Sequence, residues 1–484
     1  MTSSFSPTRT LVCKTKKVFV LLILLIAVSY TNKAQARVSL AEPFGDDMVL
    51  QRGSPITVWG DATPHEHVSV RLANQSCHTA ADAKGSWVVR FRPIKAGTGY
   101  KLLVKGQNSI QLKRIACGDV WIFSGQSNMT IAISQTDSKY SDFKGLERVP
   151  LTMYYQLPPS VKKRLRYEGT FWRKICKSIA GNQQAIPFLC GLELARSSKV
   201  PVGIMSCPCA GAPIETFISS KYPEAFRNPY IPPEFRPGSN YQQLVKPLIK
   251  LPVKGFIWYQ GESNLINASE YTLLLKLFIH QLRSDWHNSR LPIYLVQLPC
   301  YSKSPYQVPA SSWARIRQAQ ESATRLRNVF LVVTTDTAGK AAGLHPPEKK
   351  VIAHRLAMLI TAVQKGNLRR ATSPRFVKCI RHHKECICIF DTPLVPLSKV
   401  GSNTLGFEIA GYKRMFKKAQ AKICNGTVVL SNRTIQHPYF VRYNWADNPE
   451  GRLYGVNKLP LAPFNSETRL QVSTRKSAES SSPN

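Results

Sequence analysis

The sequence predicts an α/β protein: a parallel sheet covered by helices on both faces, with a β-rich segment before it and another after it. Three observations carry this prediction. Between residues 116 and about 368, short apolar strands alternate with amphipathic helical stretches, the pattern of a sheet packed between helices. Residues 37–115 and those from about 369 show short β-rich runs between turn residues and no helical period. The chain has 484 residues, 43% hydrophobic and 19% charged. At ~150 residues per domain that length holds about three cores. The composition is too apolar for a disordered chain and too charged for a multispan membrane protein.

The first 36 residues read as a secretory signal. Arg9, Lys14, Lys16 and Lys17 precede an apolar run of 13 residues, 18–30, which is short of the ~20 that span a bilayer. Ala34-Gln35-Ala36 has the A-x-A form of a cleavage site, with Arg37 as the new N-terminus. The expectation is a signal peptide at 1–36, an exported protein, and no stable membrane insertion after cleavage. An uncleaved anchor is the alternative.

Residues 37–115 form the expected N-terminal β-sandwich. Its strands are 56–59, 68–71, 87–91 and 100–104, separated by Gly, Pro, Asp and Asn turns. In the middle zone, 116–368, the expected buried strands are 120–123, 200–205, 255–258, 293–297 and 329–333. The expected helices are 271–286 and 350–363; in the second, Val351, Ile352, Leu356, Leu359, Ile360 and Val363 recur at helical spacing. A C-terminal β-rich domain is expected over 369–470, with strands at 404–409, 421–423, 427–430 and 439–443. The sequence turns Ser-rich and charged from about Ser466, which predicts disorder there and a disordered tail at 471–484.

Lys and Arg number 66 against 28 Asp and Glu, a formal charge of +38. The leader holds five of the basic residues and no acid, so the chain after it carries +33. The basic residues are spread along the chain, with only short clusters such as Lys162-Lys163-Arg164, and no zinc-finger or RNP motif is present. The pattern argues against nucleic acid as a partner and leaves a general surface charge that attracts anionic glycan or cell envelope.

Twelve cysteines are present. The densest group is Cys379, His382, His383, Cys386 and Cys388, whose ligand types suit a metal. Residues 378–380 and 386–390 look like two strands around a polar turn, however, which makes cross-strand or buried cysteines the simpler reading. Cys207 and Cys209, flanking Pro208, read as structural in the same way.

The chemistry sits in the middle zone. A buried strand runs into Ser124-Gly125-Gln126-Ser127-Asn128-Met129, which places Ser127 at the carboxyl edge of the sheet, where open α/β sheets bind ligands. Helix N-terminal N–H groups at that edge can stabilise an oxyanion. A serine nucleophile needs a base. Of the ten histidines, His65, His67, His382 and His383 fall in exposed turns. His345 stands before Pro346-Pro347 at the start of a helix, where prolines hold the preceding loop; a histidine flanking a helix is also an ordinary structural feature. A third segment, Tyr259-Gln260-Gly261-Glu262-Ser263-Asn264, is polar directly after a buried strand. It offers a carboxylate to orient a base and carboxamides to donate to an oxyanion.

Taken together, GQSNM at 125–129, WYQGESN at 258–264 and LHPPEKKVIAHRLA at 344–357 resemble, in this order, the sialate O-acetylesterase family of SGNH-type hydrolases. Matching blocks at 46–51, 201–204, 212–215, 406–411 and 441–449 extend the resemblance over nearly the whole mature chain. It implies an SGNH-type, flavodoxin-like three-layer α/β/α hydrolase domain with flanking N- and C-terminal β-domains. It also implies an esterase that removes O-acetyl groups from sugars, possibly including sialic acid, through an acyl-enzyme and with neither metal nor cofactor. Ser127 becomes the nucleophile and His345 the base. The oxyanion donors become the backbone N–H groups of Ser127 and Gly211, with Gln260 or Asn264.

This chain departs from the family in places. Relatives carry Asp two residues before the histidine, where this chain has Gly343; Ala342 and Gly339-Lys340 supply no acid either. Glu262 is the expected substitute, with Asp336 second. The Trp-Gly-Gly-Thr of relatives reads Cys209-Ala210-Gly211-Ala212, and their Tyr-Asn reads Tyr241-Gln242. Two other functions follow from these departures and from the charge: a degenerate esterase that binds acetylated glycan without turnover, and a basic envelope-associated protein working through its β-domains.

Overall fold

The computed structural model describes residues 37–138, 143, 145–156, 172–219, 235–301, 311–338, 343–396, 405–449 and 451–467. The expected signal peptide, the Lys162-Lys163-Arg164 cluster, Gly339 to Ala342 and the tail at 471–484 lie outside them.

Two compact units emerge. The first takes in 37–41, 57–91 and 102–111. Its strands alternate as half-buried strands must. In His67–Leu72, which pairs antiparallel with Gln75–Ala80, Val68, Val70 and Leu72 point inward. In Ser86–Phe91 the inward set is Trp87, Val89 and Phe91. All four strands expected here exist, and Gln75–Ala80 joins them. Gln75–Ala80 has no fully buried residue, so no apolar alternation marked it.

The second unit takes in 42–56, 92–101 and the described residues from Leu112 onward, so the C-terminal β-strands share a unit with the parallel sheet. Its central sheet uses β1 (Ser109–Gly125), β2 (Leu151–Tyr155), β3 (Trp172–Lys174), β4 (Val202–Ser206), β5 (Gly255–Tyr259), β6 (Ile293–Val296) and β7 (Val329–Val332). They lie in the order β7-β6-β5-β1-β4-β2-β3, all parallel except the antiparallel edge strand β3. Every residue of β4, β5 and β6 is buried, which requires cover on both faces. The cover comes from α2 (Ala185–Ser198) packed with α5 (Lys349–Gln364), and α3 (Tyr271–Asp285) packed with α4 (Ser312–Ala323). A short α1 (Ser127–Thr130) follows β1 directly.

Strand β1 lies between β4 and β5. The chain leaves β1 toward one side of the sheet and later returns to build the other side, so the switch point of the topology falls at the carboxyl end of β1. Ser127 begins there. The loops after β4 and β5 open at the same edge and carry Cys207 to Gly211 and Gln260 to Asn264.

The C-terminal strands surround an apolar cluster of Phe376, Cys388, Phe390, Phe407, Tyr443 and Phe464, with Phe376 and Phe464 stacked at 4.3 Å. Phe376–His382 and Glu385–Phe390 form the expected hairpin. Its cysteines are cross-strand or buried: Cys379 and Cys386 are joined as a disulfide, and Cys388 is a buried thiol. The expectation of disorder from about Ser466 is corrected. Ser466 is buried; its N–H donates to the Val441 carbonyl and its Oγ accepts from the Val441 N–H, both at 2.9 Å.

Candidate active site

Gly125 makes the turn between β1 and α1. Its φ is +136°, and a Cβ there would fall 2.0 Å from the Tyr259 carbonyl oxygen; only glycine lets β1 and β5 approach so closely. Gln126 then closes the turn onto β5. Its N–H donates to the Tyr259 carbonyl at 3.0 Å, and its Oε1 accepts the N–H groups of Gly261 and Ser263 at 3.4 and 3.3 Å. Ser127 is therefore the first helical residue of a turn fixed on both sides, and it remains half exposed.

His345 arrives on the loop between β7 and α5. Its Nε2 lies 2.8 Å from Ser127 Oγ. The Lys349 N–H donates to the Pro347 carbonyl at 2.7 Å, so the prolines sit just ahead of the helix and the imidazole stands on a braced corner. Burial, and then the charge of Lys349, hold the imidazole below its ordinary 6.5, which favours the neutral, proton-accepting form.

The expected orienting acids do not reach this ring. Glu262 is 6% exposed, and its Oε1 accepts from Asn128 Nδ2 at 2.6 Å. Asp336 takes two hydrogen bonds of 2.7 Å from the Arg355 guanidinium and a third from Tyr454 Oη at 3.1 Å. Neither carboxylate hydrogen-bonds the imidazole: Glu262 Oε1 is taken by Asn128, while Glu262 Oε2 is buried without a partner among the described residues, and Asp336 is paired with Arg355. Among the described residues His345 Nδ1 has no hydrogen-bond partner.

Nor are the two carboxamides free to meet an oxyanion. Gln260 is fully buried; its Nε2 donates to Asn264 Oδ1 at 2.8 Å and to the Ala212 carbonyl at 3.2 Å, and its Oε1 accepts from Tyr271 Oη at 2.8 Å. Asn264, also fully buried, donates to Glu215 Oε2 at 2.7 Å and Asn267 Oδ1 at 3.2 Å, and accepts from the Ile214 N–H at 2.9 Å. Every donor and acceptor of these side chains is used. Gln260 and Asn264, the expected oxyanion donors, spend these hydrogen bonds on locking the β5 loop to the β4 loop. Gly211 differs. It is exposed, with φ +73°, and its carbonyl accepts from Ser263 Oγ at 2.8 Å. Among the described residues, neither its N–H nor that of Ser127 has an acceptor.

Sequence reasoning missed three participants. Glu215, buried with its carboxyl pushed up by burial, anchors Asn264 and Asn267. Asn128 and Lys349 lie inside the motifs already singled out, GQSNM and LHPPEKK, but nothing in those strings says that their side chains meet. Of the described residues, the sulfurs of Cys379, Cys386 and Cys388 are the one group close enough to share a metal ion. Two of the three are bonded to each other.

The parallel sheet and the loops gathered at its switch point define an α/β hydrolase of the SGNH type. The sequence profile of the family described as carbohydrate esterase, sialic acid-specific acetylesterase, matches residues 117–360, half of the chain. Human sialate O-acetylesterase is 24% identical over 372 residues, covering 67% of this chain and 71% of the human protein. The mouse protein of that name is 23% identical over 415 residues, 71% of this chain and 77% of its own. The crystal structure of a carbohydrate acetylesterase from Xanthomonas citri aligns with a TM-score of 0.79 at 28% identity, covering 88% of this chain and 99% of that one. The chain belongs to the sialic acid-specific acetylesterase family of carbohydrate esterases, which are carboxylic ester hydrolases.

Proposed function

We propose that this chain is an exported serine esterase that removes O-acetyl groups from sugars, with sialic acid as the favoured carrier, through Ser127 and His345 acting as a dyad. The observation that carries the reading is the 2.8 Å contact between His345 Nε2 and Ser127 Oγ at the topological switch point.

Ser127 Oγ attacks the acetyl carbonyl carbon while its proton passes to His345 Nε2. The carbonyl oxygen becomes an oxyanion and accepts from the N–H groups of Ser127 and Gly211; one such donor is typically worth about 10²–10³ in rate. The intermediate collapses, the bond to the sugar oxygen breaks, and the imidazolium returns its proton to that oxygen. Water, deprotonated by the same imidazole, then attacks the acetyl-serine; the bond to Ser127 Oγ breaks, the imidazolium returns the proton to that oxygen, and acetate leaves. Neither metal nor cofactor enters this scheme.

The sugar follows from the family and from charge. The relatives named above are sialate O-acetylesterases, and a surface of this sign attracts an anionic sugar. Export rests on the residues before Arg37; among the described residues no helix is long and apolar enough to cross a membrane. The test is acetate release from O-acetylated sialic acids against acetylated xylan and acetylated peptidoglycan fragments, with Ser127→Ala as control. Turnover of the neutral xylan esters alone would refute the sialate assignment. Wild-type turnover by the control would refute the mechanism.

A further inference from the structure

Beside the Ser127–His345 pair runs a buried polar chain that the reaction scheme does not use. Lys349 is 1% exposed, and its Nζ donates to Asn128 Oδ1 at 2.5 Å. Asn128, also 1% exposed, donates through Nδ2 to Glu262 Oε1 at 2.6 Å and to the Leu344 carbonyl at 3.0 Å. Asn128 follows the serine in sequence and Leu344 precedes the histidine. One carboxamide thus joins the two segments that carry the reacting atoms.

The orientation of that carboxamide follows from donor chemistry. An ammonium can only donate, so the oxygen of Asn128 must face Lys349. Its two N–H groups must then face the two acceptors, Glu262 and the Leu344 carbonyl. The two acceptors exclude a flipped amide in any case; what the ammonium adds is a charged donor that holds the carboxamide oxygen from the other side. The buried cation is tolerable because Glu262 opposes it. Burial pushes Lys349 down to about 8 while Glu262 pulls it back up.

We propose that Lys349, acting through Asn128, is a positioning residue for the esterase dyad: it locks the carboxamide that pins the Leu344 carbonyl and so holds His345 at hydrogen-bond distance from Ser127. The inference rests on the reading of Ser127 and His345 as the reacting pair. It gives Glu262 a different task from the one expected of a triad acid, namely to balance the Lys349 charge so that an imidazolium can form nearby.

The ionisable surroundings are few. Lys349 is the charged group that acts on the imidazole, and Glu262 acts on Lys349. Glu348, just before that helix, interacts with Asp137, Asp336 and Arg355, the last two paired with each other; the Tyr259 ring lies 5.8 Å from Lys349 Nζ, and Tyr259 and Tyr271 both feel Glu262.

The experiment uses the full chain with 4-nitrophenyl acetate and compares Lys349→Met, Lys349→Gln, Glu262→Gln and Ser127→Ala by kcat, KM and the pH dependence of kcat/KM. Lys349→Met should lower kcat about 30-fold or more with KM within about threefold, since a 1 Å misplacement can cost ~10²-fold. Its acidic limb should move to higher pH, because a cation beside the imidazole is gone. Lys349→Gln should keep that shifted limb but recover part of kcat, because its amide N–H still donates to Asn128 Oδ1. Glu262→Gln should lower kcat with KM within about threefold, because Glu262 is the group that raises Lys349 and without it the lysine more readily gives up the charge that holds the Asn128 oxygen. A lysine acting on the imidazole through its charge alone would leave Lys349→Met and Lys349→Gln with equal kcat, since both remove the charge and only glutamine restores a donor to Asn128 Oδ1. Wild-type kcat in Lys349→Met, or loss of kcat with an unmoved limb, overturns the proposal. Should Lys349→Met not fold, Lys349→Gln and Glu262→Gln decide it: a lowered kcat in both at near-wild-type KM supports it, and wild-type kcat in either overturns it. Wild-type turnover by Ser127→Ala would instead mean that the dyad reading has failed, and this inference with it. An inert Ser127→Ala beside wild-type behaviour of the Lys349 variants would mean that this inference alone has failed.

Discussion

His345 Nε2 sits 2.8 Å from Ser127 Oγ across 218 positions of sequence, while the other ring nitrogen faces no carboxylate among the described residues. Replacing Ser127 with Ala should therefore lower kcat by about 10³-fold or more and leave KM nearly unchanged, since the lost group acts in bond making. His345→Asn should do the same. Steady-state kinetics on a small acetyl ester, with trapping of an acetyl-serine by mass spectrometry, checks both.

The acidic limb of kcat/KM should fall below pH 6.5, the ordinary histidine value from which burial and Lys349 depress this imidazole. The sign is fixed by the mechanism: the base must be neutral to accept the serine proton, and a depressed ring stays neutral to lower pH. A pH–rate profile with its acidic midpoint at or above the ordinary value would contradict the assignment.

Asp336→Asn should cost stability and spare catalysis. The carboxylate and the Arg355 guanidinium are each 12% exposed, and breaking such a pair leaves a nearly buried cation uncompensated, worth about 3 kcal/mol. The expected result is a clear fall in the thermal midpoint, with kcat of the folded enzyme within about twofold of wild type, far from the ~10⁴ that losing an orienting carboxylate can cost.

Gly125→Ala should abolish activity through structure. A methyl group there meets the Tyr259 carbonyl oxygen at 2.0 Å and forces an L residue to φ +136°, a strain and clash of about 3 kcal/mol or more. Circular dichroism melts and titration of Ser127 with an organophosphonate should show a destabilised chain whose serine no longer reacts.

Phe464→Ala should destabilise the C-terminal strands by about 3–5 kcal/mol, the usual cost of emptying an aromatic core position. Its ring stacks on Phe376 and lies edge-on to Phe390 and Phe407. Denaturant melts would register the loss directly.

The elements that sequence reading found are those whose neighbours in sequence already reveal burial. Strand β5 is an unbroken apolar run, and α3 shows its buried face at helical spacing through Tyr271, Leu274, Leu275, Phe278, Ile279 and Leu282. Helix α2 escaped because it is buried nearly all round, which erases the period. Helix α4 escaped for the opposite reason: it buries Arg317, Gln318, Gln320 and Glu321, residues that read as solvent-facing. Their burial is stabilised by distant partners, such as the Asp447 carbonyl, which accepts from Arg317 at 3.0 Å.

By itself the sequence determined the family, the sheet, and the serine and histidine. Each of these is written in local strings: an apolar strand ending in Gly125-Gln126-Ser127, and a histidine before two prolines. Only the tertiary structure decided what the remaining polar residues do. Glu262, Gln260 and Asn264 have the right chemistry for an acid and for oxyanion donors, and their position after β5 puts them at the right edge of the sheet. Yet hydrogen-bond capacity is finite, and an unmade buried bond is costly. Asn128, Tyr271 and Glu215 claim these side chains first, and which partner arrives within 3 Å is set by how separate loops pack.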